Sequence, residues 1–306
     1  MIRNPNFIQI DRNGKELQEQ NARLFSLTAN HGDIHQYVAD CIPAHWHREL
    51  EIFLLLEGSV QLRIGEQVCR ADAGDGYFIN TGVLHSFTGT AASPCIFRSF
   101  VFDPAIVGGA PGSVFDTACV RPVLETGPSF LKFCRTPEDA LYFHQFDRAF
   151  SACIDEKPGY EFKVRDALSE ILLFVKDRSL LLPPRDIAAI PELRVKQMLA
   201  YIDGNLGNPM TVKDIADAAS VCPRECQRIF RRYLHYRPME FVQRRRIFTA
   251  AGLLTSTGSS VTEIALSCGF QSPSYFSRQF KLLTGSTPGE YRAAAQKNSQ
   301  KLNTQT

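Results

Sequence analysis

Three histidines and one glutamate are the residues of this 306-residue sequence best placed to do chemistry. His45, His47 and Glu51 share parity, so in a continuous extended strand their side chains would project from one face, with His85 joining them from a later segment. Three imidazoles and a carboxylate can hold Fe, Mn, Ni or Zn, for catalysis or for binding. Without metal, the same residues and Trp46 can line a hydrogen-bonding pocket for a small effector. His45, Trp46, His47, Glu51 and His85 are the pocket candidates in either case, and a divalent metal is the candidate cofactor.

A second chemistry lies towards the C-terminus. Arg224, Gln227, Arg228 and Arg231 fall at i, i+3, i+4 and i+7, while Ile229, Phe230 and Tyr233 form an apolar stripe on another side. Further on, Ser274, Arg278 and Lys281 project at i, i+4 and i+7 beside Phe276, Phe280 and Leu283. Arg can grip guanine O6 and N7 with both arms and Gln can do likewise to adenine, whereas Lys and Ser mostly hold phosphates. Helices built this way can pack with one face and read double-stranded DNA with the other.

The elements that must position those faces are legible. Thr211 can cap a short helix with Asp214 near its positive end, and Ser260 with Glu263 repeats the arrangement as a capping box. The first of these helices stops at Ala219-Ser220-Val221-Cys222 and another starts with Pro223; in the duplicate, Gly269-Phe270-Gln271-Ser272 leads into Pro273. Sliding the chain by 50 residues superposes Arg228 on Arg278, Phe230 on Phe280, Pro238 on Pro288, Glu240 on Glu290 and Phe241 on Tyr291. Such a period marks a duplicated helix-turn-helix unit. Between the copies, Met239 to Thr255 predicts one connecting helix of about 17 residues, ~25 Å long. Successive major-groove faces lie about 34 Å apart, so inserting both readers together predicts DNA bent towards the protein.

Charge divides along the chain in the same way. From Arg194 to Thr306, 16 Lys and Arg stand against 7 Asp and Glu, a net +9, which leaves −7 on the remainder. The basic part suits a polyanion, and the acidic part argues against general stickiness. Nine scattered cysteines make no secreted disulfide framework. Cys222 and Cys226 lack a second pair at finger spacing, so buried thiols are expected rather than zinc ligands or a redox sensor. The polar N-terminus and the lack of any apolar run near the roughly 20 residues that span a bilayer point to a cytoplasmic protein without a membrane partner.

From Leu50 to Phe102, short β-rich runs alternate with turn residues, which predicts an antiparallel sandwich or small barrel. Two helical patterns around Lys157-Pro158-Gly159 follow, and Pro183 to Pro191 interrupts regular structure as a linker. The expected boundaries are a barrel over 1–136, a helical packing or dimerisation segment over 137–182, a linker over 183–191, a DNA-binding domain over 192–293 and a polar tail over 294–306.

The C-terminal residues closely resemble the AraC/XylS family of bacterial regulators, notably in IALSCGF, SYFSRQFK and TPGEYR, and the likeness reaches back through TVKDIADAA and QRIFRRY. The resemblance implies that Arg224, Gln227 and Arg228 read one groove and that Ser274, Tyr275 and Arg278 read the next. It also implies activation through RNA polymerase and a homodimer formed through helices beside the barrel. The spacing His45-x-His47-x3-Glu51-x6-Gly58 resembles a first cupin motif, and GDGYFINTGVLH from Gly74 to His85 a second, with Asn80 replacing the expected proline. The fold class expected is α+β multidomain: an N-terminal antiparallel, cupin-like β-barrel with two flanking helices, then an all-α domain of two helix-turn-helix units. The expected function is sequence-specific transcription regulation, activating in response to a small molecule sensed in the barrel, and not enzymatic. The alternative is a metal-dependent cupin enzyme, an isomerase or dioxygenase, fused to a DNA-binding domain.

Overall fold

Alternation of inward and outward side chains builds the first half of the chain into stacked sheets. The computed structural model describes residues 2–3, 25–90, 94–182 and 190–303. Its strands are β1 (Ile2–Arg3), β2 (Leu27–Asp33), β3 (Cys41–His45), β4 (Leu50–Leu55), β5 (Ser59–Ile64), β6 (Gln67–Asp72), β7 (Gly76–Ile79), β8 (His85–Gly89), β9 (Ile96–Phe102) and β10 (Phe130–Phe133). One sheet has the order β1-β2-β9-β4-β7-β10 and the other β3-β8-β5-β6. Every pair is antiparallel except β1 with β2.

Of the sandwich and the small barrel that the strand pattern allows, the structure has two unclosed sheets, since among the described residues no ladder joins them. Along one seam, side chains stand where a ladder would have run: the Tyr77 hydroxyl and the Lys132 ammonium donate to the Arg70 carbonyl at 3.2 and 3.4 Å.

Strand β4 is buried at every position because it is covered on both faces. Leu50, Ile52 and Leu54 pack against helices, while Phe53 and Leu55, with the parity of Glu51, pack into the sandwich interior. The helices are α1 (Ala105–Gly108), α2 (Arg121–Thr126), α3 (Ala140–Asp155) and α4 (Tyr160–Ser179). The last two are the expected flanking pair and bury Tyr142, Phe146, Phe150, Leu168 and Ile171 against the six-stranded sheet. The buried Tyr142 hydroxyl bridges the carbonyls of Phe53 and Tyr77, both at 2.9 Å, and so fixes α3 to β4 and β7. Gly76 makes room for it, since a Cβ there would lie 2.3 Å from the Tyr142 ring.

The chain divides into two compact units that meet in sequence at Ile190 and Pro191. Residues 183–189 of the expected linker lie outside the described residues, and Ile190 and Pro191 already belong to helix α5 (Ile190–Gly204). The second unit continues with α6 (Val212–Asp217), α7 (Pro223–Ile229), α8 (Pro238–Ser256), α9 (Val261–Ser267), α10 (Pro273–Thr284) and α11 (Pro288–Asn303). Helix α11 runs on through Asn303, into the residues expected as a polar tail. No described helix is long and apolar enough to cross a membrane.

The duplication is structural as well as sequential. Both predicted capping boxes form, Thr211 with Asp214 and Ser260 with Glu263. In the turn after each capped helix the backbone is left-handed, at Ser220 (φ 52) and Gly269 (φ 81). Helix α10 is followed by left-handed Gly285 (φ 78), while α7 runs on through a wider-turned helical segment, Phe230–Leu234, to left-handed His235 (φ 60). Buried Ile215, Cys226 and Phe230 of the first copy correspond to Ile264, Phe276 and Phe280 of the second. Tyr233 and Leu283, expected on the packed stripes, are only half-buried. Of the thiol pair, Cys226 is buried and raised to about 11 by that burial, but Cys222 is exposed, which corrects the expectation that both lie inside.

Candidate functional site

The histidine cluster assembles as expected, but not for the expected reason. β3 ends at His45 and β4 begins at Leu50, so His45, His47 and Glu51 do not share one strand. His45 pairs across the four-stranded sheet with His85, Glu51 comes from the six-stranded sheet, and His47 lies in the loop between. Their ligand atoms lie within 4.8 Å of one another, and all four side chains are buried, none more than 5% exposed. Trp46 is half-buried and is not one of the four converging side chains.

Each ring is oriented by a nearby backbone carbonyl. The Nδ1 atoms of His45, His47 and His85 lie 2.8, 2.9 and 2.9 Å from the carbonyls of Pro43, Glu49 and Val83. A carbonyl oxygen only accepts, so Nδ1 of each ring carries a proton, and Nε2 presents a lone pair when the ring is neutral and donates to Glu51 when the ring is charged. His47 Nε2 and His85 Nε2 stand 3.4 and 3.0 Å from Glu51 Oε2. The latter contact is out of line for a hydrogen bond, and His85 Nε2 has no hydrogen-bond partner.

Burial, and then the neighbouring histidines, hold His45 well below the ordinary imidazole value. Burial alone would raise Glu51, but His47 and His85 outweigh it and hold the carboxyl far below the usual range. Neutral imidazole and ionised carboxylate are the protonation states that bind metal. The divalent metal that a cupin-like sandwich implies therefore fits these residues. The donor set is three nitrogens and one oxygen, and each imidazole is steered by its other nitrogen, as metal-binding histidines commonly are.

Asn80, which stands where the cupin pattern has proline, is a structural clamp. Its buried amide donates to the carbonyls of Val123 and Pro128 at 2.7 and 3.0 Å and its oxygen accepts from the Thr81 N–H at 2.8 Å.

In the second unit, Arg224, Gln227, Arg228 and Arg231 on the first copy and Ser274, Tyr275, Arg278 and Lys281 on the second are all exposed. Arg228 is held at 2.7 Å by both carboxylate oxygens of Glu225, a partner it must exchange to reach a base. Tyr275 accepts a 2.6 Å hydrogen bond from the Gln243 amide on α8, and Arg278 sits over its ring at 5.5 Å. Helix α8 thus braces the exposed face of α10.

Other arginines of the basic field serve the fold, which composition alone did not reveal. Arg245 forms a two-pronged pair with Asp203 at 2.7 and 2.9 Å, both side chains buried. Arg246 donates to the carbonyls of Leu206, Gly269 and Asn208 at 2.9, 2.9 and 2.7 Å, joining the end of α5 to the turn of the second copy. Arg292 reaches the carbonyls of Leu254 and Ser259. A sequence signal existed for Arg245, which lies three and four residues beyond buried Val242 and Phe241, on the packed face of α8.

Together, a packed sandwich with an inward-facing polar cluster and a duplicated helix-turn-helix unit define a transcription regulator with a ligand-binding domain and a DNA-binding domain. The family comparisons agree. Residues 30–172 match the AraC-like ligand binding domain and residues 215–294 match a helix-turn-helix domain. The chain is 29% identical to the uncharacterized HTH-type transcriptional regulator YdeC of Bacillus subtilis, over 94% of this chain and 98% of that protein. It is 36% identical to the HTH-type transcriptional activator AarP of Providencia stuartii, over 32% of this chain and 73% of AarP. Among solved structures, an apo form of ToxT from Vibrio cholerae is similar at 14% identity and a TM-score of 0.47, over 87% of this chain and 97% of ToxT. The chain belongs to the AraC family of transcriptional regulators.

Proposed function

We propose that the protein is a cytoplasmic, sequence-specific activator whose two exposed helix faces enter successive major grooves while the sandwich receives the signal. The observation that carries this reading is the division of labour among its cations. Arg245, Arg246 and Arg292 are spent on the fold, whereas the candidate readers on α7 and α10 stand in solvent. Arg224, Gln227, Arg228, Tyr275 and Arg278 are assigned to base edges, and Arg231, Ser274 and Lys281 to phosphates. Helix α8, 19 residues long, spans about 28 Å, short of the roughly 34 Å groove repeat, so the duplex bends towards the protein.

A second copy is assigned to the helical face of the sandwich unit. Exposed Phe162 and Leu173 of α4, with Phe115, border an apolar cleft of about 390 Å³ that a partner helix would fill. RNA polymerase is the downstream partner on this reading. No turnover is assigned to the sandwich, since the four polar side chains that an enzyme would use are sealed from solvent.

The test is selection of duplexes by the full chain from a random pool, followed by anisotropy titration of the selected duplex at several salt concentrations. Arg224→Ala and Arg278→Ala should each cost about 1–3 kcal/mol and relax one position of the site. Lys281→Ala should weaken all sequences alike and lower the salt slope by about one. Absence of salt-sensitive duplex binding by the intact protein would sink the reading.

A further inference from the structure

The cationic face of α7 carries one group that a polyanion should repel. Glu225 lies in the first turn, next to Arg224, and its side chain is 26% exposed. Arg228 holds it from both ends, Nε donating to Oε2 and Nη2 to Oε1, each at 2.7 Å. The hydrogen bonds from Arg228 outweigh the cost of leaving water, and the charges of Arg228 and of Arg194 on α5 add to them, so the carboxyl is held below its ordinary value. An acid on a face turned to phosphates weakens binding unless it has a task of its own.

The duplication shows what that place does. Sliding by 50 residues sets Glu225 on Tyr275 and Arg228 on Arg278. Each engages the arginine three residues on, Glu225 by its paired hydrogen bonds and Tyr275 by its ring, with Arg278 5.5 Å above it. Each is also approached from the preceding long helix. Gln243 of α8 donates to the Tyr275 hydroxyl at 2.6 Å, and Arg194 of α5 adds its charge to Glu225. Arg194 and Gln243 stand as far apart in sequence as the two capping acids Asp214 and Glu263. The helix itself does not require an acid here, since the first turn of α10 has none.

The chemistry follows from what a carboxylate can bond. When Arg228 turns both arms to a guanine, Glu225 loses both of these hydrogen bonds and is left beside the groove. An ionised carboxylate only accepts. The base donors in the major groove are the amino groups of cytosine and adenine, whereas guanine and thymine present acceptors. An amino group satisfies the carboxylate, and an acceptor in its place leaves it desolvated and unpaired, which is costly.

We propose that Glu225 is a specificity-determining residue of the first reader, selecting a base with a major-groove amino group beside the guanine taken by Arg228 and rejecting guanine and thymine there. The proposal rests on the reading of α7 as a groove-inserted helix and adds a residue and the base chemistry it demands.

The test repeats duplex selection with the full chain and with Glu225→Ala, Glu225→Gln and Arg228→Ala, then measures competition by duplexes carrying each of the four bases at every position. For the parent, cytosine and adenine should outbind guanine and thymine about tenfold at one position, and the better of the two names the preferred amine. Glu225→Ala should level the four bases there. Glu225→Gln, whose amide both donates and accepts, should narrow the preference to adenine. Arg228→Ala should relax the adjoining guanine and keep the amino preference. Circular dichroism at 222 nm checks that each variant keeps the helix content of the parent. A Glu225→Ala profile equal to that of the parent overturns the proposal, and so does loss of the amino preference in Arg228→Ala, since the carboxylate would then act only through the arginine. A parent that binds no duplex sinks the regulator reading and this proposal with it.

Discussion

Asp203→Asn should cripple the helix-turn-helix unit without touching any of the proposed reading residues. The substitution keeps the shape of the side chain but removes the charge that Arg245 meets with two hydrogen bonds, at 2.7 and 2.9 Å. Both partners are about 5% exposed, so water cannot replace the lost carboxylate. Stranding one member of a buried pair costs about 3–5 kcal/mol, a large share of the roughly 5–15 kcal/mol that holds a domain folded. With a urea slope of about 1–3 kcal/mol/M, the midpoint of that unit should fall by about 2 M.

The assay is urea unfolding of the full chain with two probes. Trp46 reports on the first unit alone, and circular dichroism at 222 nm also follows the all-helical second unit. The dichroism transition should move early while the Trp46 transition stays in place. Replacing the pair together, Asp203→Leu with Arg245→Met, should recover most of the loss, because apolar groups of similar size do not leave a charge behind. A cost below about 1 kcal/mol for Asp203→Asn would falsify the claim that the pair is desolvated.

Three further outcomes are expected in the same unit. Cys222→Ser should gain about 1 kcal/mol, read as a higher urea midpoint, because Ser272 at the equivalent position caps α10 whereas Cys222 makes no side-chain cap on α7. Gly269→Ala should lose more than about 2 kcal/mol and release Arg246, since φ is +81 and a Cβ would meet the Leu206 carbonyl at 2.4 Å. Asp214, Glu263 and Glu290 are all held below their ordinary values by hydrogen bonds to Thr211, Ser260 and Thr287. A lowered folded pKa gives stability that is present above the ordinary carboxylate value and lost as pH falls through the folded one. Acid titration below about pH 4 should therefore unravel these helix starts, and the triple amide variant should show a shallower acid limb by circular dichroism.

Much of the second unit was legible because its signals are local. Caps, prolines at first turns and a fixed repeat each act within a few residues, so Thr211, Ser260, Pro223 and Pro273 stand where the sequence placed them. What escaped was long-range. Nothing within a few residues of Arg246 says that its partners are carbonyls near 206, 208 and 269. In the first unit the four cluster residues were recognisable by type, but their shared parity did not bring them together. The chain bulges between Ile42 and His45 and changes sheet before Glu51, so the meeting depends on sheet stacking. Barrel and sandwich have the same alternation of strands along the chain, and only pairing across the seam separates them. Strand β4 hid its faces because it is apolar on both, being roofed by helices on one side and by a sheet on the other.

The two copies of the reader are unequal at both of their left-handed corners. Where the second copy has Gly269 and Gly285, the first forces Ser220 and His235 into the same backbone, at roughly 1–2 kcal/mol each for a residue with a Cβ. That strain should make the first copy the softer half, with amides that exchange sooner with deuterated solvent than those of the second. A promoter served by this protein should then tolerate sequence drift under the N-terminal reader and hold its bases strictly under the C-terminal one.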